Sequence, residues 1–360
     1  MNYPIIVNTV GKKPRDKIYP ISFSIPKEKI VSHIPEKTKL LATIIPGKPE
    51  TYIYGNSEID YYIDYRRSIF GMTTKKAGWD CMRHYEIMAN GCIPYFPDLT
   101  NCPIETMTTF PKDLILEGNR LYEKYKTLDF AHIQKHYRSE YECLIQRILE
   151  FVRIHLTTES IARMMIEKTY MSVTPFPVEN TKSNQSISFI SAHEEDILNE
   201  KWCKKILFLS GSLYPDYLRC LTLHGLKQLF GSNCHDYPRI PHMYTDYVSM
   251  HENRELYGNG FSYSRLLAPE LHDYKMDETV ETDIQRGVYD MVIYGSLHRG
   301  LPMIELVLRC FPKEKVVFLC GEDIHQNGVP HKCPMREITR DGHSIFIREL
   351  GDIGAINPVI

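Results

Sequence analysis

The alternation of apolar and polar positions divides the chain into two stretches of mixed strand and helix, joined by a polar segment. In the first stretch the short apolar runs "PISFSI" and "KLLATIIPG" predict strands ended by proline and glycine. "RRSIFGMTT" predicts a strand running into a loop. "GWDCMRHYEIMANG" predicts a helix that Asn90-Gly91 stops, and "CIPYFPD" a buried strand ending at Pro97-Asp98. Strand, loop, helix and strand in that order make one βαβ-like unit. Residues 128–170 read as helical. Leu144, Ile148, Phe151 and Val152 recur at helical spacing, and Thr157-Thr158 break the pattern where they would cap a second helix, "ESIARMMIEKTY". "SVTPFPVENTKSNQS" is polar, carries prolines and has no period, which predicts a linker.

The second stretch begins near Lys204. "KILFLSG", "NCHDYP", "YDMVIYGS", "KVVFLCGED" and "HSIFIREL" predict strands, while "PDYLRCLTLHGLKQLFG" and "GLPMIELVLRCF" predict helices. In the first of these helices Leu218, Leu221, Gly225, Leu226 and Leu229 share a face, and Gly231 ends it. Strands that are near-continuous apolar runs, alternating with helices, point to an α/β fold with parallel sheets covered on both faces. The expected division is residues 1–172, including the long helices, a linker at 173–200, and residues 201–360.

Composition narrows the function classes. A chain of 360 residues has room for two domains, and 43% hydrophobic with 24% charged residues is enough to build real cores. The net charge of -2 gives no global electrostatic case for nucleic acid or an anionic membrane, so an anion site must be local. None of the ten cysteines forms a C-x-x-C pair, which argues against a zinc ribbon or a thioredoxin-type site and for buried free thiols in a reducing compartment. The first residues carry only a short apolar run before charge arrives, so no secretory leader is expected, and no apolar run is long enough to span a bilayer. Asn184-Gln185-Ser186 then reads as a chance glycosylation sequon, and the cytoplasm is the expected location. Fifteen histidines contain no H-E-x-x-H and no tight His/Asp cluster, so neither a metal nor a cofactor is expected.

Residues 75–98 hold the densest chemistry. Lys75 and Lys76 precede a helix on which Arg83 and Glu86 lie one turn apart. In a parallel sheet, backbone N–H groups and the helix dipole meet at a strand-to-helix loop, so this loop with Lys75, Lys76 and Arg83 suits a diphosphate. Glu86 would accept from a ribose diol. The alternative is a surface Arg83–Glu86 ion pair worth ~0.3–0.5 kcal/mol.

"SIFGMTTKKAGWDCMRHYEIMANGCIPYFPD" resembles the donor-binding motif of glycosyltransferases with the two-domain GT-B fold, nearest to the exostosin-like group. The resemblance lies in Ser68, Phe70, Arg83, Glu86, Gly91, Cys92, Ile93 and Pro94, and "CPIETMTTFPKDLI" resembles the continuation in bacterial and large-virus relatives. It implies two Rossmann-like domains facing a cleft, and transfer of a sugar from a nucleotide diphosphate sugar to a hydroxyl of a glycan or other acceptor. Arg83 with Lys75 or Lys76 would hold the diphosphate and Glu86 the ribose, with Ser68, Thr74, Gly78, Trp79 and Asp80 as further donor-side candidates. Retaining enzymes of this fold often carry a second glutamate eight residues earlier; here that position is Gly78, which favours inversion. The Asp-x-Asp element of the other major glycosyltransferase fold is missing, so transfer is expected without a metal. "LYPDYLRCLTLHGLKQLFGSNCHDYPR" and "NGFSYS" are similar to the first domain of the same relatives but come second here, which implies circular permutation.

In the second stretch Glu322 and Asp323 follow a strand, where catalytic groups gather, and either carboxylate can deprotonate a sugar hydroxyl. His224 is a third catalytic candidate, although a packed core histidine is the preferred reading. Ser296, His298 and Arg299 either meet acceptor or phosphate or only cap a helix, and Asp216 reads as a charge favoured at its helix N-terminus. Two other classes compete: a non-catalytic nucleotide-sugar or glycan-binding protein on the same fold, and a nucleotide-dependent epimerase. The epimerase would need a G-x-G-x-x-G after the first strand and a Tyr-x-x-x-Lys pair, neither of which is found convincingly.

Overall fold

The computed structural model describes residues 17–171, 203–323, 338 and 341–351. The strands are β1 (Ile18–Pro20), β2 (Lys39–Leu41), β3 (Ser68–Met72), β4 (Ile93–Tyr95), β5 (Ile206–Leu209), β6 (Cys234–Tyr237), β7 (Met291–Tyr294), β8 (Val316–Cys320) and β9 (Ser344–Ile347). The helices are α1 (Glu58–Arg67), α2 (Met82–Ala89), α3 (Lys112–Tyr125), α4 (Phe130–His136), α5 (Arg138–His155), α6 (Thr158–Met171), α7 (Tyr217–Phe230), α8 (Tyr274–Gln285) and α9 (Ile304–Cys310). The architecture is mixed α/β with parallel sheets covered by helices, consistent with a generic Rossmann-like fold.

The larger sheet has the order β1-β9-β8-β7-β5-β6. Its central strands are apolar throughout because both faces are covered. Ile206, Phe208, Met291, Ile293, Val317, Leu319 and Phe346 join one core with α6 and α7. The alternating residues Leu207, Leu209, Val292, Tyr294, Val316, Phe318 and Ile345 join a second core with α8 and α9. From β5 the chain winds to β6 on one side and to β7, β8 and β9 on the other, which puts a topological switch point between β5 and β7. β1 pairs in parallel with β9 through Ile18 and Ile345, the place that a strand following β9 would take. It lies within residues 1–172 but belongs to the sheet built from residues after 203, so the expected boundaries do not separate the two sheets completely.

The smaller sheet is β2-β3-β4, connected by α1 and α2. α2 ends where the sequence predicts: Asn90 caps it and Gly91 follows at φ +63. It starts at Met82 rather than Gly78, so Gly78–Cys81 belong to the loop. "PISFSI" does not continue as a strand beyond Pro20, although the Ile21 N–H still donates to Ile347 O at 3.1 Å. α1 and α8 are not among the sequence expectations. α8 buries only Val280 and Ile284, too few apolar positions to show a period. The expected linker at 173–200 lies outside the described residues.

α6 lies along α7 and so joins the helices of the first stretch to the larger sheet. Thr157 caps α6, its hydroxyl accepting from the Ser160 N–H at 3.1 Å. A Cβ at Gly225 would stand 2.1 Å from the Thr158 carbonyl oxygen, a backbone atom that cannot swing away. Gly225→Ala should therefore destabilise the protein by about 1–3 kcal/mol, despite the roughly 1 kcal/mol that alanine gains in helix propensity. A urea denaturation midpoint at or above that of the wild type would contradict this account of the contact.

Candidate functional site

A cleft of about 1000 Å³ opens between the two sheets. One wall comes from the carboxyl ends of β7 and β8, the residue after β9 and the start of α7; the other comes from residues 76–78 and 80–83 and Glu86. Residues around 52–56 and 252–261 form the rim. Parallel sheets leave their ligand crevice at the carboxyl ends of the strands, beside the switch point, and this cleft is there.

Arg83 and Lys76 carry the positive charge of the α2 wall. Arg83 is 7% exposed, and its Nη2 donates to the Tyr52 hydroxyl at 2.7 Å. Its Nε and Nη1 are buried with no hydrogen-bond partner, so the surface ion pair with Glu86 is not formed. Leaving buried charged donors unpaired costs free energy, more than for a neutral group. Burial and the charge of Arg83 both lower the Lys76 pKa. The N-terminus of α2 has no side-chain cap, which adds its dipole to the same wall.

The other donor-side candidates separate. Lys75 sits with its ammonium 5.6 Å from the Trp79 ring centroid and, with Thr74, lines a smaller pocket beside Pro46, Gly47 and Pro49. Ser68 is buried and donates to Asp64 O at 2.6 Å. Asp80 borders the cleft, but its carboxylate accepts from the Phe23 N–H at 2.7 Å and the Tyr85 hydroxyl at 2.8 Å. At Gly78 a Cβ would stand 2.4 Å from Asp323 Oδ1 and 2.5 Å from Glu349 Oε1, so those carboxylates would have to shift to admit one. Glu86 borders the cleft with both oxygens engaged, by the Tyr61 hydroxyl at 2.6 Å and the Ser262 hydroxyl at 2.7 Å. Burial raises its pKa against the pull of those two bonds and of Arg83.

The opposite wall is an acid–base cluster. His298 Nε2 stands 3.2 Å from Asp216 Oδ2 and 2.9 Å from Glu322 Oε1, and the Ser296 hydroxyl donates to Asp216 Oδ2 at 2.7 Å. Asp216 also caps α7 through the Arg219 N–H at 3.1 Å. Burial opposes the charge on His298, but the two carboxylates outweigh it and raise its pKa to about 9. The hydrogen bond from His298 in turn lowers the pKa of Glu322. Asp323 is bound to the Arg348 guanidinium. His224 does not line the cleft; its Nδ1 meets the Thr158 hydroxyl at 2.8 Å between α6 and α7, as a core histidine would. Tyr52, Tyr61, Tyr217, Tyr257 and Arg348 also line the cleft and escaped the sequence reading. For Arg348 there was a signal, a charged pair directly after the buried run of β9.

The expectation of no metal or cofactor is corrected. His235, His272 and Asp277 bring three ligand atoms within 4.8 Å of one another, an arrangement able to hold a metal ion. Sequence spacing did not show it because His235 comes from β6, far along the chain from the other two. Among the described residues, no helix is long and apolar enough to cross a membrane.

Linkage gives the cluster a testable sign. The folded-state pKa of His298, about 9, lies above the 6.5 usual for a histidine. Its contribution, about 2 kcal/mol after allowing for partial solvent screening, should be complete below pH 6.5 and lost as pH rises through 9. Thermal unfolding across that window should show wild-type stability falling and His298→Gln nearly level; equal slopes would remove His298 as the cause. Comparison of the chain with protein-family models, with curated proteins and with solved structures finds no match.

Proposed function

We propose that the protein is a glycosyltransferase with two Rossmann-like domains facing the cleft, a GT-B-like build. It moves a sugar from a nucleotide diphosphate sugar to a hydroxyl of a glycan or other acceptor. The observation that carries this reading is the pairing of walls: Arg83, a guanidinium with two unpartnered nitrogens, and Lys76 line the same cavity as carboxylates at the ends of parallel strands. The position of β1 beside β9 supports a circularly permuted connectivity.

In this mechanism the acceptor hydroxyl gives its proton to a carboxylate as its oxygen bonds to the anomeric carbon. The bond from that carbon to the diphosphate breaks, and the electron pair leaves with the diphosphate. Arg83, Lys76 and the α2 dipole hold the charge that develops there. Glu322 is the best base of the three acids. Asp216 is 6% exposed and spends its oxygens on Ser296, His298 and Arg219, and Asp323 is tied to a permanently charged arginine. Glu322 keeps an open face, with 30% of its side chain exposed. Single displacement with inversion needs only this one carboxylate. Because the Glu86 oxygens are already engaged, Arg83 and Lys76 are assigned the donor, and Glu86 supports the wall behind them.

The test is a panel of nucleoside diphosphates and their sugars, scored by thermal shift and calorimetry. One nucleotide should bind the wild type, and Arg83→Ala should weaken it roughly 30- to 100-fold, the loss of a charged hydrogen-bonding group. Glu322→Gln should bind the same nucleotide normally and lose turnover by about 10²–10⁴-fold. Binding to the wild type without any turnover would leave a nucleotide-sugar-binding protein instead. No binding at all, or binding indifferent to Arg83, would defeat the reading.

A further inference from the structure

We propose that His235, His272 and Asp277 form a binding site for a zinc-class divalent cation at the edge of the larger sheet, separate from the cleft. None of the three lines the cavity between the sheets. His235 lies on β6, the edge strand; His272 closes the turn before α8; Asp277 lies in the first turn of α8.

Three observations support a metal. The first is the donor set. Two imidazoles and one carboxylate suit zinc and its neighbours, whereas calcium and magnesium prefer all-oxygen sites. The second is the spacing. His235 Nε2 stands 3.0 Å from Asp277 Oδ1, and His272 Nε2 3.1 Å from Asp277 Oδ2. Ligands about 2.0–2.1 Å from a tetrahedral ion lie roughly 3.3 Å apart, so small adjustments would seat one. His235 is 1% exposed, yet its Nε2 has no hydrogen bond, and Asp277 Oδ1 is likewise without one. The two atoms approach without hydrogen-bond geometry, as ligands of a common centre do.

The third observation is the support behind the ligands. The far ring nitrogen of His272, Nδ1, lies 3.1 Å from Asp236 Oδ1. Asp236 is itself fixed by Lys227 Nζ at 2.9 Å and by the Tyr244 hydroxyl at 2.7 Å. A carboxylate behind a histidine, holding its outer N–H and aiming the other nitrogen inward, is the usual outer shell of a histidine–metal bond. The rings of His235 and His272 are near-parallel, 23° apart, with centroids at 5.3 Å. One quarter of the Asp277 side chain is exposed, which puts the cluster near the surface. Such an ion would pin the start of α8 to the edge strand.

The competing arrangement is a metal-free network in which His272 bridges Asp236 and Asp277. Cobalt(II) separates the two, because a tetrahedral site with histidine ligands gives it strong visible absorption. His132 and His136, an exposed pair on α4 with ring centroids 4.5 Å apart, can bind metal by themselves, so the titration belongs in a tag-free His132→Ala background. The expected result is one cobalt per chain with a tetrahedral spectrum, displaced by zinc, together with a rise in melting temperature that a chelator reverses. Asp277→Asn and His235→Gln should each lower the affinity at least 100-fold. Asp277 is partly exposed, so its variant should fold; circular dichroism of both variants checks this. No cobalt binding, or binding that survives in either folded variant, overturns the proposal.

Discussion

The arrangement of the cleft depends on one buried guanidinium. Arg348, one residue beyond β9 and 3% exposed, binds the Asp323 carboxylate and donates to Glu349 Oε1 at 2.8 Å, Gly321 O at 3.0 Å and Asp80 O at 2.6 Å. A charge buried this deeply is tolerable only when its donors are engaged, and the acceptors here come from both sheets. Arg348 therefore fixes the end of β8 against the loop that leads into α2. Asp80 extends the link by binding the Phe23 N–H and the Tyr85 hydroxyl, and Glu349 Oε1 closes it by accepting the Asp80 N–H at 2.8 Å. The fit is close enough that a side chain at residue 78 would displace the Asp323 and Glu349 carboxylates. The cost appears in Glu349, whose pKa burial pushes up to about 7 even with Arg348 beside it.

Arg348 and Arg83 illustrate two uses of the same side chain. The nitrogens of Arg348 are spent on protein acceptors, so it organises the wall and has little to offer a ligand. Arg83 also lines the cleft, but its Nε and Nη1 are buried without a hydrogen-bond partner. On the facing wall the charges are balanced locally. Asp216 and Glu322 share His298, which stays protonated well above neutral pH and keeps both acids ionised. Two unit charges at 4 Å interact by about 4 kcal/mol at an effective dielectric constant near 20, so a cation between two carboxylates dominates their protonation. The cleft thus has an acidic wall whose carboxylates share a protonated histidine, facing a wall on which Lys76 and Arg83 stand beside Asp80 and Glu86.

Much of this was legible in the sequence, for definite reasons. β5, β7, β8 and β9 are covered on both faces, which leaves continuous apolar runs that no other element imitates. Glu322 and Asp323 could be found because they follow such a run directly. The stretch from Ser68 to Asp98 disclosed the β3–α2–β4 unit through Asn90-Gly91 and the buried strand after it. What was hidden depends on pairs distant along the chain. Glu86 and Ser262 are 176 residues apart, and Asp80 and Arg348 are 268. No local pattern says that a glutamate expected to face ribose is already held by a serine from the other half, or that His235 lies against His272. α1 and α8 were missed because their apolar positions are few or are tyrosines, whose hydroxyls make them look polar. Tyr61 and Tyr62 on α1 are buried and spend those hydroxyls on Glu86 and Glu58.

The Glu86 contact is a second fastening between the halves, across the cleft from Arg348. Ser262 donates through its hydroxyl to Glu86 and through its N–H to Glu58 Oε1 at 2.7 Å, and the Asn259 side chain donates to Gly55 O at 2.8 Å. The segment that reaches over is unusual in its backbone. Glu252, Asn253, Gly258, Asn259, Gly260 and Ser262 all have positive φ, between 52° and 78°. For the non-glycine residues this costs of order 1–3 kcal/mol each and persists only where surrounding contacts enforce it. Ser262, at φ +69, is enforced by Glu58, Glu86 and Tyr62 together. Pulling the walls apart as rigid bodies would break this fastening and strip Glu86 Oε1 of its Ser262 donor, while the Tyr61 hydroxyl on the same half would stay on Oε2. The Ser262 and Arg348 contacts thus tie the two walls of the cleft together at two places.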